Sequence, residues 1–146
     1  MFERFASDTR TSVEAARKEA QAAGVTAIEA EHLLLALSRR PEARKLGLDH
    51  DEIADALALE EERSLAAVGI DRSQYDLTGS AARGDAKLGT SAKLAIERAL
   101  RITAKRGQRR LTALNLLLGV ISAEHGRVPR ALELAGIDIH ELRARL

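Results

Sequence analysis

The stretch AEHLLLALS at residues 30–38 recurs as ALNLLLGVI at residues 113–121. Both copies are almost continuous apolar runs, which is typical of a helix that is buried over most of its surface. Residues 5–40 and 88–123 align without a gap at an offset of 83, with seven of 36 positions identical, including Gly24 and Gly107. The sequence therefore predicts two copies of one helical unit.

The composition favours helices along the whole chain. Of the 146 residues, 49 are Ala or Leu, whereas aromatic residues make up 2%. Apolar periodicity, caps and glycine stops predict an all-α fold of about eight helices in two pseudo-symmetric four-helix repeats. We expect one domain over residues 1–146, with repeat one at 1–75, a Gly-rich linker at 76–89 and repeat two at 90–146.

Two local expectations concern the first repeat. Thr26 and Glu29 have the spacing of a capping box, which predicts that Thr26 caps the second helix. Glu60, Glu61 and Glu62 are consecutive acidic residues in a helix that begins after Asp49. We expect these three carboxylates to form a solvated face.

Several classes of function are disfavoured by what the sequence lacks. The absence of Cys excludes a disulfide scaffold, a thiolate zinc site and a Cys nucleophile, and it is compatible with a reducing compartment. No two of the four His residues have the spacing of helical metal ligands, and no catalytic constellation is recognisable, so we expect a non-enzymatic protein without metal or cofactor. The chain lacks a membrane span and the apolar core of a signal peptide, so we expect a cytoplasmic protein.

The net charge of +1 conceals two opposed halves. Residues 1–75 carry 10 basic and 15 acidic residues, whereas residues 76–146 carry 13 and 7. One alternative function is therefore a structural interaction protein that dimerises through its acidic and basic halves. Another is a weak nucleic-acid binder that uses the basic run at 105–110, although no aromatic residue interrupts this run.

Two copies of one unit commonly pack about an approximate two-fold axis, which would place the first and fifth helices side by side. The groove predicted between them is lined by Phe2, Arg10, Val13 and Arg17 from one copy and by Leu88, Lys93, Glu97 and Leu100 from the other. An aromatic side chain among mixed charges has the composition of a binding hot spot.

Three stretches of the sequence resemble a known family. Residues 2–5 read FERF, residues 29–37 read EAEHLLLAL and residues 116–120 read LLLGV. They resemble the double Clp repeat domain at the N-terminus of ClpC-type AAA+ unfoldases. The resemblance implies an eight-helix docking module whose partners are protein substrates or adaptors of the Clp system, the unfoldase itself and cyclic peptides. Neither Walker motif is found in the chain, so the resemblance implies a free-standing adaptor, competitor or sink for ligands of the unfoldase, including cyclic-peptide antibiotics.

The resemblance also implies two ligand sites. One is the groove, whose residues match the family pattern except Leu88, where an aromatic residue is usual, and Arg17, where Gln is usual. The other binds phosphorylated arginine through a Glu before the His of each copy and a Thr near the start of each first helix. Glu31 matches this Glu, but Leu114 replaces it in the second copy, and neither Thr is found. The resemblance therefore implies a residual phospho-arginine site confined to Glu31.

Overall fold

The computed structural model describes residues 2–70 and 87–146. Within them a 3-10 turn at Phe2–Arg4 precedes eight α-helices and two short strands. The helices are α1 (Ser7–Ala22), α2 (Ala30–Ser38), α3 (Pro41–Lys45), α4 (His50–Ala67), α5 (Thr90–Lys105), α6 (Ala113–Ile121), α7 (Arg127–Leu134) and α8 (Ile139–Arg145), and the strands are β1 (Ala27–Ile28) and β2 (Lys87–Leu88). The prediction of an all-α fold with about eight helices is confirmed.

The helix boundaries repeat at the offset of the sequence alignment. α1 begins at residue 7 and α5 at residue 90, and α2 begins at residue 30 and α6 at residue 113. Each of these helices also has the same length as its counterpart. The aligned glycines Gly24 and Gly107 have φ angles of 72° and 68°, the left-handed conformation that glycine adopts at little cost after a helix.

Helices α2 and α6 form the centre of the fold. They pack against each other, while α1 packs on α2 and α5 packs on α6. Leu33 and Leu116, which occupy aligned positions, are fully buried, and burying a leucine contributes about 1.5–3 kcal/mol. The close approach of α5 to α6 requires Gly119, because a Cβ there would lie 2.5 Å from the carbonyl oxygen of Ala95.

The two repeats exchange backbone hydrogen bonds at their N-terminal ends. β1 pairs in parallel with β2, which places Ile28 opposite Leu88, and a parallel bridge also joins Phe5 to Leu111. The two bridges are related by the offset of 83. Beside each bridge, the amide of the following residue donates to the partner carbonyl, at 2.9 Å and 2.8 Å. The segment before the first helix of each repeat is thus anchored on the helix connection of the other repeat.

The predicted linker at residues 76–89 lies largely outside the described residues. Of its last residues, Lys87–Leu88 form β2 and Gly89 is the N-cap of α5. The predicted extents of the domain and of the two repeats remain predictions.

Glu29, and not Thr26, caps α2, so the predicted capping box is wrong. The connection forms β1 after Thr26, which delays the start of α2. Glu29 instead forms the box with His32: its side chain accepts from the His32 amide, and His32 Nδ1 accepts from the Glu29 amide at 2.8 Å. Glu29 also accepts hydrogen bonds from the amide and the hydroxyl of Ser91 in the first turn of α5. One carboxylate therefore stabilises the N-termini of two helices from different repeats.

We predict that Gly89→Ala displaces the Glu29 carboxylate, because a Cβ at residue 89 would lie 1.7 Å from Glu29 Oε1. The φ of −78° suits alanine, so the cost is that of the disturbed hydrogen bonds, about 1–2 kcal/mol in the free energy of unfolding.

The control background is Glu29→Thr, which copies Thr112 at the aligned position of the other repeat. There the same Gly89→Ala substitution should cost less than half as much. Chemical denaturation of the wild type, the two single variants and the double variant completes a double-mutant cycle. If Gly89→Ala lowers the free energy of unfolding equally in both backgrounds, the predicted clash with Glu29 is contradicted.

Candidate functional site

The eight residues of the predicted groove lie on α1, on α5 and on the segments that precede these helices. Arg10, Val13 and Arg17 share one face of α1, Lys93, Glu97 and Leu100 share one face of α5, Phe2 belongs to the N-terminal turn, and Leu88 belongs to β2. Within the described residues, α1 packs mainly on α2 and α5 mainly on α6. Each of the two helices therefore packs mainly on the central helix of its own repeat. The side-by-side arrangement of α1 and α5 and the groove between them remain predictions.

A cluster of charged residues that the sequence analysis did not predict joins the two repeats. Arg127, the first residue of α7, donates from Nη1 to Glu31 Oε1 and from Nε to Glu60 Oε2, each at 3.0 Å. Arg130 donates from Nε to Glu60 Oε1 at 2.9 Å. Glu31 lies on α2 and Glu60 on α4, so two arginines of the second repeat bind two carboxylates of the first.

Glu60 is buried, which corrects the expectation of a solvated face. Its side chain is 3% exposed, and Ser64 donates to its Oε1 at 2.7 Å. Burial raises the pKa of this carboxyl, but the hydrogen bonds from Ser64, Arg130 and Arg127 outweigh burial and hold the pKa below its usual value. The signal in the sequence is the spacing of Ile53, Leu57 and Glu60, which places Glu60 on the apolar face of α4.

We predict that Glu60→Gln lowers the free energy of unfolding by about 1–3 kcal/mol, because it removes the charge that two partly exposed arginines share. Glu62→Gln is the matched control, since Glu62 is exposed on the same helix, and it should change stability by less than about 0.5 kcal/mol. Thermal and chemical denaturation measure both. Similar values for the two variants would show that the cluster contributes no net stability.

His32 lies beside this cluster and is 5% exposed. Because its Nδ1 accepts a hydrogen bond from the Glu29 amide, the neutral ring carries its proton on Nε2. Burial lowers the pKa of His32. The carboxylate of Glu31 opposes this effect, and the charge of Arg127 adds to it. The structure therefore favours the neutral imidazole.

A pH dependence follows from the lowered pKa of His32. Below about pH 6.5, His32 of the unfolded chain takes up a proton that the folded chain does not yet bind. Stability should therefore fall as the pH drops from about 6.5 towards 5, by at most about 1.4 kcal/mol per pH unit for this one group.

The variant His32→Asn tests this dependence, because it copies the buried Asn115 at the aligned position and does not titrate. Its stability, measured by denaturation between pH 5 and 8, should have a shallower slope than that of the wild-type protein. Equal slopes would assign the pH dependence to other groups.

Two cavities flank the ion pair of Glu31 and Arg127. One has a volume of about 320 Å³ and is lined also by Ser91, Leu94 and Arg98. The other has a volume of about 590 Å³ and lies between α1, α2 and α4, where Val25, Leu35 and Leu57 supply apolar walls. Glu29, Glu31 and Arg127 line both cavities, whereas the six predicted groove residues of α1 and α5 line neither.

One residue of the basic run at 105–110 takes part in the packing of the fold. In the exposed basic run at 105–110, Arg106 donates to Asn115 Oδ1 at 2.8 Å and to the carbonyl of Leu146 at 3.0 Å, so its guanidinium ties α5 to α6 and to the C-terminal residue. Among residues 2–70 and 87–146, no three His or carboxylate side chains form a group that could hold a metal ion. No helix in the same ranges is long and apolar enough to cross a membrane.

The fold is similar to that of solved structures. The N-terminal domain of the caseinolytic protease associated chaperone ClpD from Arabidopsis thaliana matches with a TM-score of 0.72 and 22% identity, over 99% of this chain and 95% of that one. The chain has the fold of a Clp N-terminal domain. The Hsp104 N-terminal domain from Candida albicans is similar to it with a TM-score of 0.66 and 12% identity, over 97% and 87% of the two chains. No protein-family model and none of the curated proteins compared matches the chain.

The Clp N-terminal domain fold confirms the architecture that the resemblance implied. At identities of 22% and 12% it is the fold that is shared, and function has to be argued from the residues of this chain. Glu31, at which the resemblance implies a residual phospho-arginine site, has Arg127 of its own chain as a partner. Its aligned counterpart Leu114 is exposed and apolar, so the two halves present different chemistry at the same position.

Proposed function

We propose that the chain is a non-enzymatic docking module of Clp proteolysis that binds protein substrates or adaptors. Acting as adaptor, competitor or sink, it engages ligands of the N-terminal domain of a ClpC-type unfoldase. The observation that supports this proposal is the fold, which spans 99% of the chain and 95% of the ClpD N-terminal domain, part of a chaperone associated with a protease.

We place the ligand at the predicted groove residues of α1 and α5. Val13 and Leu100 are half-buried, so each offers part of its apolar surface, whereas Lys93 and Glu97 are exposed on the same face of α5. A ligand that buries apolar side chains on the first pair and forms hydrogen bonds to the second matches the usual anatomy of an interface, with an apolar centre and a polar rim. Peptides have this combination of groups, and cyclic peptides bind with little loss of conformational freedom.

The test is a titration of the isotope-labelled chain with a cyclic-peptide antibiotic that binds ClpC-type domains, followed by amide chemical shifts. We expect saturating shifts at Phe2 and Lys93. The dissociation constant should be about tenfold larger for Phe2→Ala and for Lys93→Ala than for the wild type. Lys105→Ala is the matched control, because Lys105 is exposed at the other end of α5, and its affinity should equal that of the wild type. An absence of shifts at millimolar peptide would remove the groove from the proposal.

A degradation assay with a ClpC-type unfoldase and its protease distinguishes the roles. An adaptor increases the degradation of some substrates, a competitor slows it, and a sink restores the normal rate when the cyclic peptide is present. A rate that is unchanged by the chain in all three settings would contradict a role in Clp proteolysis.

A further inference from the structure

Glu31 already binds a guanidinium group, which belongs to Arg127. Its carboxylate is 13% exposed and accepts from Arg127 Nη1 at 3.0 Å. This contact is a charge-assisted hydrogen bond in a partly desolvated place, a combination that strengthens such bonds. The Glu31 carboxylate can therefore bind a guanidinium group, and in this structure that group is the side chain of Arg127.

Arg127 is held from three directions. Besides Glu31 on α2, its Nε donates to Glu60 Oε2 at 3.0 Å, and its Nη2 donates to the carbonyl of Leu57 at 3.3 Å, both on α4. A guanidinium supplies several donors in one rigid plane, so it can bind all three acceptors at once, whereas a lysine cannot. The side chain of Arg127 is therefore held in one position against α2 and α4.

The stretch of chain that contains Arg127 is longer than its counterpart in the first repeat. Ile121 aligns with Ser38 at an offset of 83, whereas Gly136 aligns with Gly47 at an offset of 89, so the second repeat has six additional residues between positions 121 and 136. Within this stretch, α7 begins at Arg127 and has eight residues, whereas α3 has five. The two repeats therefore differ in length and in sequence at the place where Arg127 meets a carboxylate of the first repeat.

The ion pair lies where the two cavities meet. Glu31 and Arg127 line both the cavity of about 320 Å³ beside α5 and the cavity of about 590 Å³ beside α1 and α4. Both cavities combine apolar walls with charged groups, as ligand sites do. Arg127 and the two glutamates Glu29 and Glu31 therefore lie between the two cavities.

We propose that Arg127 is a specificity-determining residue, an internal ligand that fills the carboxylate site of Glu31 and divides one long cavity into two. With Arg127 in place the site rejects guanidinium side chains of other proteins, and without it the site accepts them. The proposal rests on the proposed function in taking the excluded ligand to be an arginine of a protein segment. Its test uses a small probe, so that its failure is distinguishable from a failure of the docking role.

The test compares Arg127→Ala with Arg130→Ala. Both variants remove an arginine from Glu60, but Arg130→Ala leaves the contact between Glu31 and Arg127 intact. The probe is N-acetyl-arginine amide, and N-acetyl-citrulline amide is its uncharged counterpart. Binding is followed by the amide shifts of Glu31 and His32, and the dispersion of the spectrum shows whether each variant is folded. Arg127→Ser is the second variant if Arg127→Ala does not fold.

We expect the Arg127 variant to bind the arginine probe at least about tenfold more tightly than the wild type and Arg130→Ala do, and to bind the citrulline probe no better than they do. The outcome that overturns the proposal is equal binding of the arginine probe by all three proteins. Equal gains for the arginine and citrulline probes would also overturn it, because space and not the carboxylate would then set the affinity. Neither result bears on the cyclic-peptide titration of the groove.

Discussion

The fold depends on the exchange of backbone hydrogen bonds between the two repeats. Each repeat contributes a short segment before its first helix, and each segment pairs in parallel with the helix connection of the other repeat, Phe5 with Leu111 and Leu88 with Ile28. Because the exchange is reciprocal, each repeat fixes where the first helix of the other begins. It also brings Glu29 to Ser91, so that one carboxylate serves the N-termini of α2 and α5.

The same constraint explains what the sequence could predict about the fold and what it could not. The apolar runs at residues 33–35 and 116–118 and the glycines at 24 and 107 carry local signals of helix period and helix end, and these signals predicted the repeat correctly. The exchanged strands are two residues long and have no periodicity of their own. Thr26 has the composition of a cap, but the pairing of β1 uses the residues after it and moves the cap to Glu29. Tertiary pairing outweighed a local preference there.

The candidate site was less predictable because its members come from three helices. Glu31 was singled out by a resemblance, whereas Arg127 and Arg130 had no motif to mark them. A run of three acidic residues predicts one solvated face, but Glu60 lies on the apolar face of α4 and is buried. Its burial is tolerated since two arginines and Ser64 supply the hydrogen bonds that water would otherwise provide. Such compensation is a property of the assembled helices and has no local signal.

Pseudo-symmetry makes the differences between the halves interpretable, because residues 5–40 of the first repeat have counterparts at residues 88–123 of the second. Glu31 corresponds to Leu114, and Glu29 corresponds to Thr112, which caps α6 alone by accepting from the Asn115 amide. The backbone at these positions is shared, so the chemistry of the side chains is free to differ. The six additional residues between positions 121 and 136 interrupt this correspondence. In the same stretch Arg127 brings a cation to Glu31, whereas the aligned Leu114 has no carboxylate. Two copies of one scaffold therefore present a charged position, where Arg127 contacts Glu31, and an exposed apolar position at Leu114, so the two halves offer different chemistry at equivalent places.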